Sequence, residues 1–399
     1  MVSSTIPKPR IAGKGYVMNA EVGFPQVEAL FPLYDDGRIN HIEVTTIAVH
    51  NGKRLDYMAL AELFGGREAS IEIGDTFNDA KRLIDLTNPA NSDMVDVIFR
   101  DVTPAFAKHH NLKWLNGHEV AGAQFVRPGQ IPLSDWLPYP NAVKLIEGIW
   151  GGFQEELKAR GSPANVRYEN VHGCSTQRSW DDCIKFAPIG NIPRLDSAIP
   201  YTLDIDHFMM EMFFIEWVKQ EQLKGTNIPV GQLKNFWWWV PARGVDGMYP
   251  FRVGVHEKYA YTRWMKPTPT ESVLAVMQDL IEEGKLAAIH LTNLPAPNYE
   301  SGASKDERFA FHDAGGTLEG CIDLKQVAKL AIQNGILMVC EIKEPIDLET
   351  GYNGYLEDRP NLHKELEIIE AARRELESEA LDEHFSGGLP VVDLDAKRL

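Results

Sequence analysis

The sequence predicts an α/β fold, and within that class a (β/α)8 TIM barrel with insertions and a C-terminal helical extension. Three observations carry this expectation. Short apolar runs alternate with helix-patterned segments, polar residues gather in the connections, and neither an internal repeat nor a low-complexity linker divides the chain. At 399 residues and 44% hydrophobic content the chain exceeds one average domain, yet a barrel with insertions reaches this size. One barrel needs fewer assumptions than two domains. The expected organisation is an N-terminal tail over 1–18, a catalytic barrel over 19–360 with an insertion around 225–268, and a C-terminal helix and tail over 361–399.

The elements follow in order. Gly23 to Leu30 reads as a strand exit entering a helix, and Ile39 to Val44 as a strand whose Glu43 interrupts the apolar run at the face that carries chemistry in barrels. Residues 52–91 are mixed and largely helical in pattern, and 92–100 contain the β-like run Met94 to Phe99. A helix over 138–160 is closed by Gly161 with Pro163 beyond it. Val166 to Glu169 is a short alternating strand. Leu203-Asp204 ends another, and Phe208 to Gln222 continues as a helix with an aromatic and methionine face. The insertion holds Trp237-Trp238-Trp239 and the strand-like Phe251 to His256. Helix Thr270 to Glu283 leads through Gly284 into the strand Leu286 to Leu291, and 292–320 form a long loop. Leu324 to Gln333 is helical, Gly335 closes it, and the strand Ile336 to Ile342 carries Glu341. Leu362 to His384, dense in Glu, Leu, Ala and Arg, reads as a surface helix.

Composition excludes several functions. A formal charge of −17 and a pI of about 5.2 argue against a nucleic-acid partner, and Arg373-Arg374 sits among glutamates. The opening MVSSTIPKPRIAGKG lacks the apolar core of a secretion signal. The longest apolar run, Phe208 to Trp217, is broken by Glu211 and Glu216, so no membrane span is expected. Cys174, Cys183, Cys321 and Cys340 make neither a disulfide scaffold nor a thiolate zinc site, and a reducing cytoplasm is the expected location. No dinucleotide fingerprint stands out, so no nicotinamide cofactor is invoked.

The chemistry lies at strand ends. Glu169, Asp204, His290 and Glu341 each end a strand-like segment and together offer oxygen and nitrogen donors without a thiolate. That set suits one divalent ion, with Mn²⁺ favoured and Mg²⁺, Co²⁺ or Zn²⁺ alternatives. Each residue alone has a plainer reading. Glu169 could form a salt bridge, Asp204 could cap the helix starting near His207, and His290 could be a satisfied core histidine. Glu341 is the most telling, because a carboxylate within Met-Val-Cys-Glu-Ile is unfavourable to bury without a cation or hydrogen-bond donors. His256 also ends a strand-like run, beside Glu257 and Lys258, and is the alternative third ligand; His290 is preferred.

The order of these motifs resembles the xylose-isomerase-like superfamily, which includes sugar-phosphate isomerases and epimerases and inosose dehydratases. Tyr168-Glu169-Asn170-Val171-His172 resembles its first-ligand strand, and Leu203-Asp204-Ile205-Asp206-His207 its Asp-x-x-His. Ile289-His290-Leu291 resembles the histidine strand, Gly315 to Leu324 the glycine-rich acidic run before the last helix, and Val339-Cys340-Glu341 the last ligand strand. The chain departs from the pattern after the histidine, where Thr292-Asn293 replaces Lys-Asp, and in the length of its insertion.

The resemblance implies a TIM barrel whose ion is held by Glu169, Asp204, His290 and Glu341. It also implies isomerisation or epimerisation of a keto or aldo sugar, or a related polyol, through an enediolate. Glu169 and Glu341 would pass the proton, and His207 would orient a substrate hydroxyl or act as an acid. His172, Arg252, His256 and Lys258 are further candidates for substrate oxygens. Three successive tryptophans cannot all face one core, so Trp238 or a neighbour is expected at a pocket wall or a homo-oligomer interface. The expected partner is a carbohydrate or cyclitol. The main alternative is a metal-dependent lyase or dehydratase of a keto-cyclitol, keto-sugar or oxidised glycoside. A non-catalytic sugar-binding barrel fits the Glu341 environment poorly.

Overall fold

Strands that pack on two faces bury every second side chain inward, and here the inward set is polar along much of the sheet. The computed structural model describes residues 6–17, 24–46, 49–50, 53–73, 92–118, 139–170, 198–210, 212–213, 238–241, 248–251, 264–297, 316–341 and 359–386. In chain order the strands are β1 (Arg10–Val17), β2 (His41–Thr46), the pair β3 (Val49–His50) and β4 (Lys53–Arg54), β5 (Ala69–Ile73) and β6 (Leu112–His118). They continue with β7 (Asn165–Glu169), β8 (Tyr201–Asp204), the pair β9 (Trp238–Pro241) and β10 (Met248–Phe251), β11 (Leu286–Leu291) and β12 (Leu337–Cys340). Strands β1, β2, β5, β6, β7, β8, β11 and β12 pair in parallel as a closed barrel, β12 returning to β1. The chain is thus an eight-stranded (β/α)8 TIM barrel. Strands β3–β4 and β9–β10 form separate antiparallel pairs.

The helices are α1 (Pro25–Glu28), α2 (Phe31–Asp35), α3 (Tyr57–Leu63), α4 (Ser92–Lys108), α5 (Tyr139–Ala159), α6 (Pro269–Glu282), α7 (Leu324–Gln333) and α8 (Pro360–Ser386). Local chemistry fixes their ends. Thr268 and Glu271 form a reciprocal capping box on α6, with Pro269 in its first turn. Asp323 accepts from the Lys325 and Gln326 amides at the start of α7. Gly161 closes α5 with φ at +75°, a conformation that disfavours any side chain. Among the described residues no helix is long and apolar enough to cross a membrane.

Three expectations are corrected. Residues 10–17 are not tail but the first barrel strand, whose middle is Ala-Gly-Lys-Gly; at Gly13 a Cβ would overlap the Leu30 side chain. The run Met94 to Phe99 lies inside α4, where Ile98, Val102, Ala105 and Phe106 recur at helical spacing and are buried. The stretch 52–91 hides strand β5, whose five residues are all buried. The expected C-terminal helix is present as α8. Leu362, Leu366, Ile369, Ala372 and Leu376 bury one stripe in the main core, so α8 is an integral part of the helical ring.

The barrel is tightly filled beneath the site. Ala12, Ala288, Leu337 and Val339, on the inward phase of their strands, form a small apolar floor of their own. On the outer side Gly117 of β6 lies so close to the Trp150 indole that a Cβ would overlap the ring. Gly117→Ala is therefore expected to destabilise the fold by about 1–3 kcal/mol through overpacking, measured by urea denaturation. A neutral result would mean that Trp150 can move aside.

Candidate metal centre

Above the apolar floor the barrel interior turns almost entirely polar. Lys14, His41, Glu43, Ser70, Glu72, Asn116, Arg167, Glu169, Thr202, Asp204 and His290 are all buried. Barrel interiors are ordinarily filled by branched aliphatic residues. So much buried charge must be paired or bound to something.

The carboxyl ends of four strands bring the predicted ligands together. Glu169 ends β7, Asp204 ends β8, His290 lies near the end of β11 and Glu341 follows β12. One ligand atom from each lies within 4.8 Å of the others. His290 Nδ1 stands 3.1 Å from Glu169 Oε1, 3.7 Å from Asp204 Oδ2 and 2.5 Å from Glu341 Oε2. Its other nitrogen, Nε2, is 2.8 Å from Glu43 Oε1, and Glu43 is itself held by the Arg167 guanidinium. When Nε2 carries the hydrogen that it donates to Glu43, Nδ1 presents a lone pair to the three carboxylates. That is the carboxylate–histidine arrangement found behind metal-bound imidazoles.

Glu169, Asp204 and Glu341 are also held from outside the cluster. Asn116 Nδ2 donates to Glu169 Oε2 at 2.7 Å, and Thr202 in turn donates to Asn116 Oδ1 at 3.2 Å. Asn170 brackets the Asp204 backbone, accepting from its amide and donating to its carbonyl at 2.8 and 2.9 Å. Tyr16 OH donates to Glu341 Oε1 at 2.6 Å, and Lys14 Nζ reaches the same oxygen at 2.6 Å. Glu341 Oε2 is buried and faces His290 Nδ1, with no other hydrogen-bond donor on it among the described residues. A carboxylate oxygen whose one neighbouring donor is an imidazole nitrogen, beside two more carboxylates, fits a hard divalent cation.

Charge is distributed accordingly. Burial alone would raise the Glu341 carboxyl, but His290 and Lys14 hold it well below the usual carboxylate range. Burial also opposes an imidazolium at His290, yet Glu169 and Glu341 outweigh it and raise its pKa. At Asp204, burial and then the neighbouring Asp206 push the carboxyl well above its ordinary value. The cluster thus gathers positive charge, which a divalent ion supplies when it displaces protons from such ligands.

Two further groupings share residues with this one. Glu43, Glu72 and His290 come together behind the imidazole, but Arg167 and Lys14 already neutralise the two carboxylates. Asp204, Asp206 and His207 form the other. His207 Nδ1 lies 3.0 Å from Asp204 Oδ2, while the His207 amide donates to Asp204 Oδ1 at 3.1 Å. Asp204 therefore caps the helical turn at 205–210 as well as facing the cluster. Glu43, expected at the chemical face, supports His290 from within β2. His172, Arg252, His256 and Lys258 lie outside the described residues, as does the side chain of Trp238. Lys14, Tyr16, Glu72, Asn116 and Arg167 escaped the sequence reading. A lysine in the run Ala-Gly-Lys-Gly and an alternating Ser-Ile-Glu-Ile were the available signals.

No family model and no curated protein matches the chain. Solved structures of similar fold include a D-tagatose 3-epimerase-like protein, 12% identical over 93% of this chain and 99% of that one, with a TM-score of 0.42. A mannonate dehydratase from Streptococcus suis is 11% identical over 98% and 99%, with a TM-score of 0.44. A sugar phosphate isomerase/epimerase from Parabacteroides distasonis is 12% identical over 88% and 99%, with a TM-score of 0.38. Likeness of this order carries no weight for the reaction, which has to be argued from the site itself.

Proposed function

We propose that the chain is a divalent-metal-dependent enzyme that isomerises or epimerises a sugar or related polyol by removing a proton next to a carbonyl. The observation that carries this reading is the convergence of His290 Nδ1 with Glu169, Asp204 and Glu341 Oε2. The four residues would hold the ion at the catalytic face of the barrel, with Mn²⁺ favoured by the oxygen-rich donor set. When bound, the ion supplies Lewis-acid stabilisation for the negative charge that develops on substrate oxygen.

The chain's own residues do the rest. Glu169, steadied by the neutral Asn116 amide, takes the proton from carbon, and the C–H electron pair moves into the enediolate. The proton held on Glu169 would return to the neighbouring carbon; for addition at the opposite face, Glu341, fixed by Tyr16 and Lys14, would deliver a proton taken up from water while Glu169 releases its own to water. His207, oriented by Asp204 and the Asn170 carbonyl, meets a substrate hydroxyl. Its place between Asp204 and Asp206 favours one second reading: with an acid there, loss of a hydroxyl would make the enzyme a dehydratase.

The test begins with protein purified without added metal or chelator. After reconstitution with MnCl2, ketoses and keto-cyclitols are incubated in D2O, and deuterium entry beside the carbonyl is followed by NMR. Exchange dependent on the ion and on Glu169 is the expected result, and loss of water during exchange would select the dehydratase. Exchange that survives chelation, or no ion uptake at all, would overturn the proposal.

A further inference from the structure

Lys14 carries a positive charge into the middle of an acidic cluster that already has the makings of a cation site. Its side chain is 2% exposed, and its ammonium stands 2.6 Å from Glu341 Oε1 and 2.9 Å from Glu72 Oε2. It also lies 3.4 Å from His290 Nδ1, the nitrogen that faces Glu169, Asp204 and Glu341. Two carboxylates within 2.9 Å of one nitrogen make this a seat for a charged ammonium. The backbone beneath is pinned, because the Arg359 guanidinium donates to the Lys14 carbonyl at 2.7 Å. The ammonium is thus built into strand β1 rather than swept in from the surface.

We propose that Lys14 is a tethered cation that shares Glu341 with the divalent ion, holding the carboxylates together without the ion and weakening its binding by repulsion. The proposal rests on the metal-centre reading above. A lysine has no lone pair to offer a metal while it is charged, so it cannot be a ligand. An ion on Nδ1 would stand a few ångströms from the ammonium. Even with water-like screening, a unit charge that close to a divalent ion changes affinity by about tenfold. Removing the charge should therefore tighten ion binding, whereas a merely structural salt bridge would leave it unchanged or loosen it. The same removal should leave the carboxylates repelling one another in the metal-free protein.

Calorimetric titration of the full-length, metal-free protein with MnCl2, with thermal melts alongside, separates these cases. Lys14→Met is expected to bind Mn²⁺ at least about tenfold more tightly than the native chain. Its metal-free form should melt lower, and the Mn²⁺-induced rise in Tm should be larger. Lys14→Arg, which keeps the charge, should stay close to native affinity. Should Lys14→Met fail to fold, Glu72→Gln gives the opposite sign: with less neutralisation of Lys14, Mn²⁺ should bind several-fold more weakly. Unchanged or weaker Mn²⁺ binding by folded Lys14→Met overturns the proposal. So does unchanged or tighter binding by Glu72→Gln. Glu169→Gln separates this failure from failure of the metal reading. If the native chain binds Mn²⁺, Glu169→Gln does not, and Lys14→Met matches native, only the role of Lys14 falls. If native and Lys14→Met both refuse Mn²⁺, both readings fall.

Discussion

On the proposed metal reading, Glu341→Gln is expected to abolish binding of the divalent ion. The amide has nearly the shape of the carboxylate, so the loss comes from charge and from the direction its two ends must face. Lys14 and Tyr16 both approach Oε1, and a charged lysine can only donate, so the single amide oxygen is drawn to that position. The amide nitrogen then occupies the place of Oε2, with its hydrogens turned toward His290 Nδ1 and the other ligands. A ligand has become a donor aimed at a cation. Changes to groups that only support a ligand typically cost about 10–100-fold in metal affinity, and replacing the ligand itself should cost more. Metal content by mass spectrometry should fall from about one ion per chain to a small fraction of that. Full retention of the ion would show that Glu341 only anchors Lys14 and Tyr16.

The four clustered ligand candidates were legible because each breaks the rhythm of its own strand. A carboxylate after Leu-Met-Val-Cys and a histidine within Ala-Ala-Ile-His-Leu are local anomalies that one sequence can display. Their supports were not legible, for a physical reason. Glu43 stood out within its strand but its partners did not, and Glu72, Asn116 and Arg167 lie on the inward phase of short strands; these residues pair across the barrel with partners as far as 247 residues away. Periodicity reports which face a residue takes and says nothing about what stands opposite. Lys14 was lost for a different reason. Its strand is built from small residues, Ala12, Gly13 and Gly15 among them, so hydrophobic patterning did not mark it as a strand. The misreading of Met94 to Phe99 shows the limit of short apolar runs, which suit helix or strand equally until Val102, Ala105 and Phe106 extend the period.

Breaking the buried pair between Arg167 and Glu43 should give the largest change in stability. Both side chains are wholly inaccessible, and burial pushes the Arg167 guanidinium down to about 9, still charged near neutrality. Its Nε and Nη1 have no hydrogen-bond partner among the described residues, so Glu43 is its principal anchor, with the Trp114 ring 5.6 Å from its Cζ. Arg167→Met keeps the packing on Trp114 but leaves a buried, less compensated carboxylate. That should cost about 3–5 kcal/mol in urea denaturation. Glu43→Gln strands the guanidinium and should cost a similar amount. The double variant removes both charges and should lose clearly less than the sum of the single losses. Metal affinity adds a second readout that a purely structural pair would not move. Glu43 holds His290 Nε2, so Glu43→Gln should weaken the divalent ion by about 10–100-fold even where the protein remains folded. Additive stability losses with unaltered metal affinity would sink this account and leave Arg167–Glu43 as an ordinary core pair. Coupled losses would mean that the charges beneath the site are arranged around the imidazole that faces the ion.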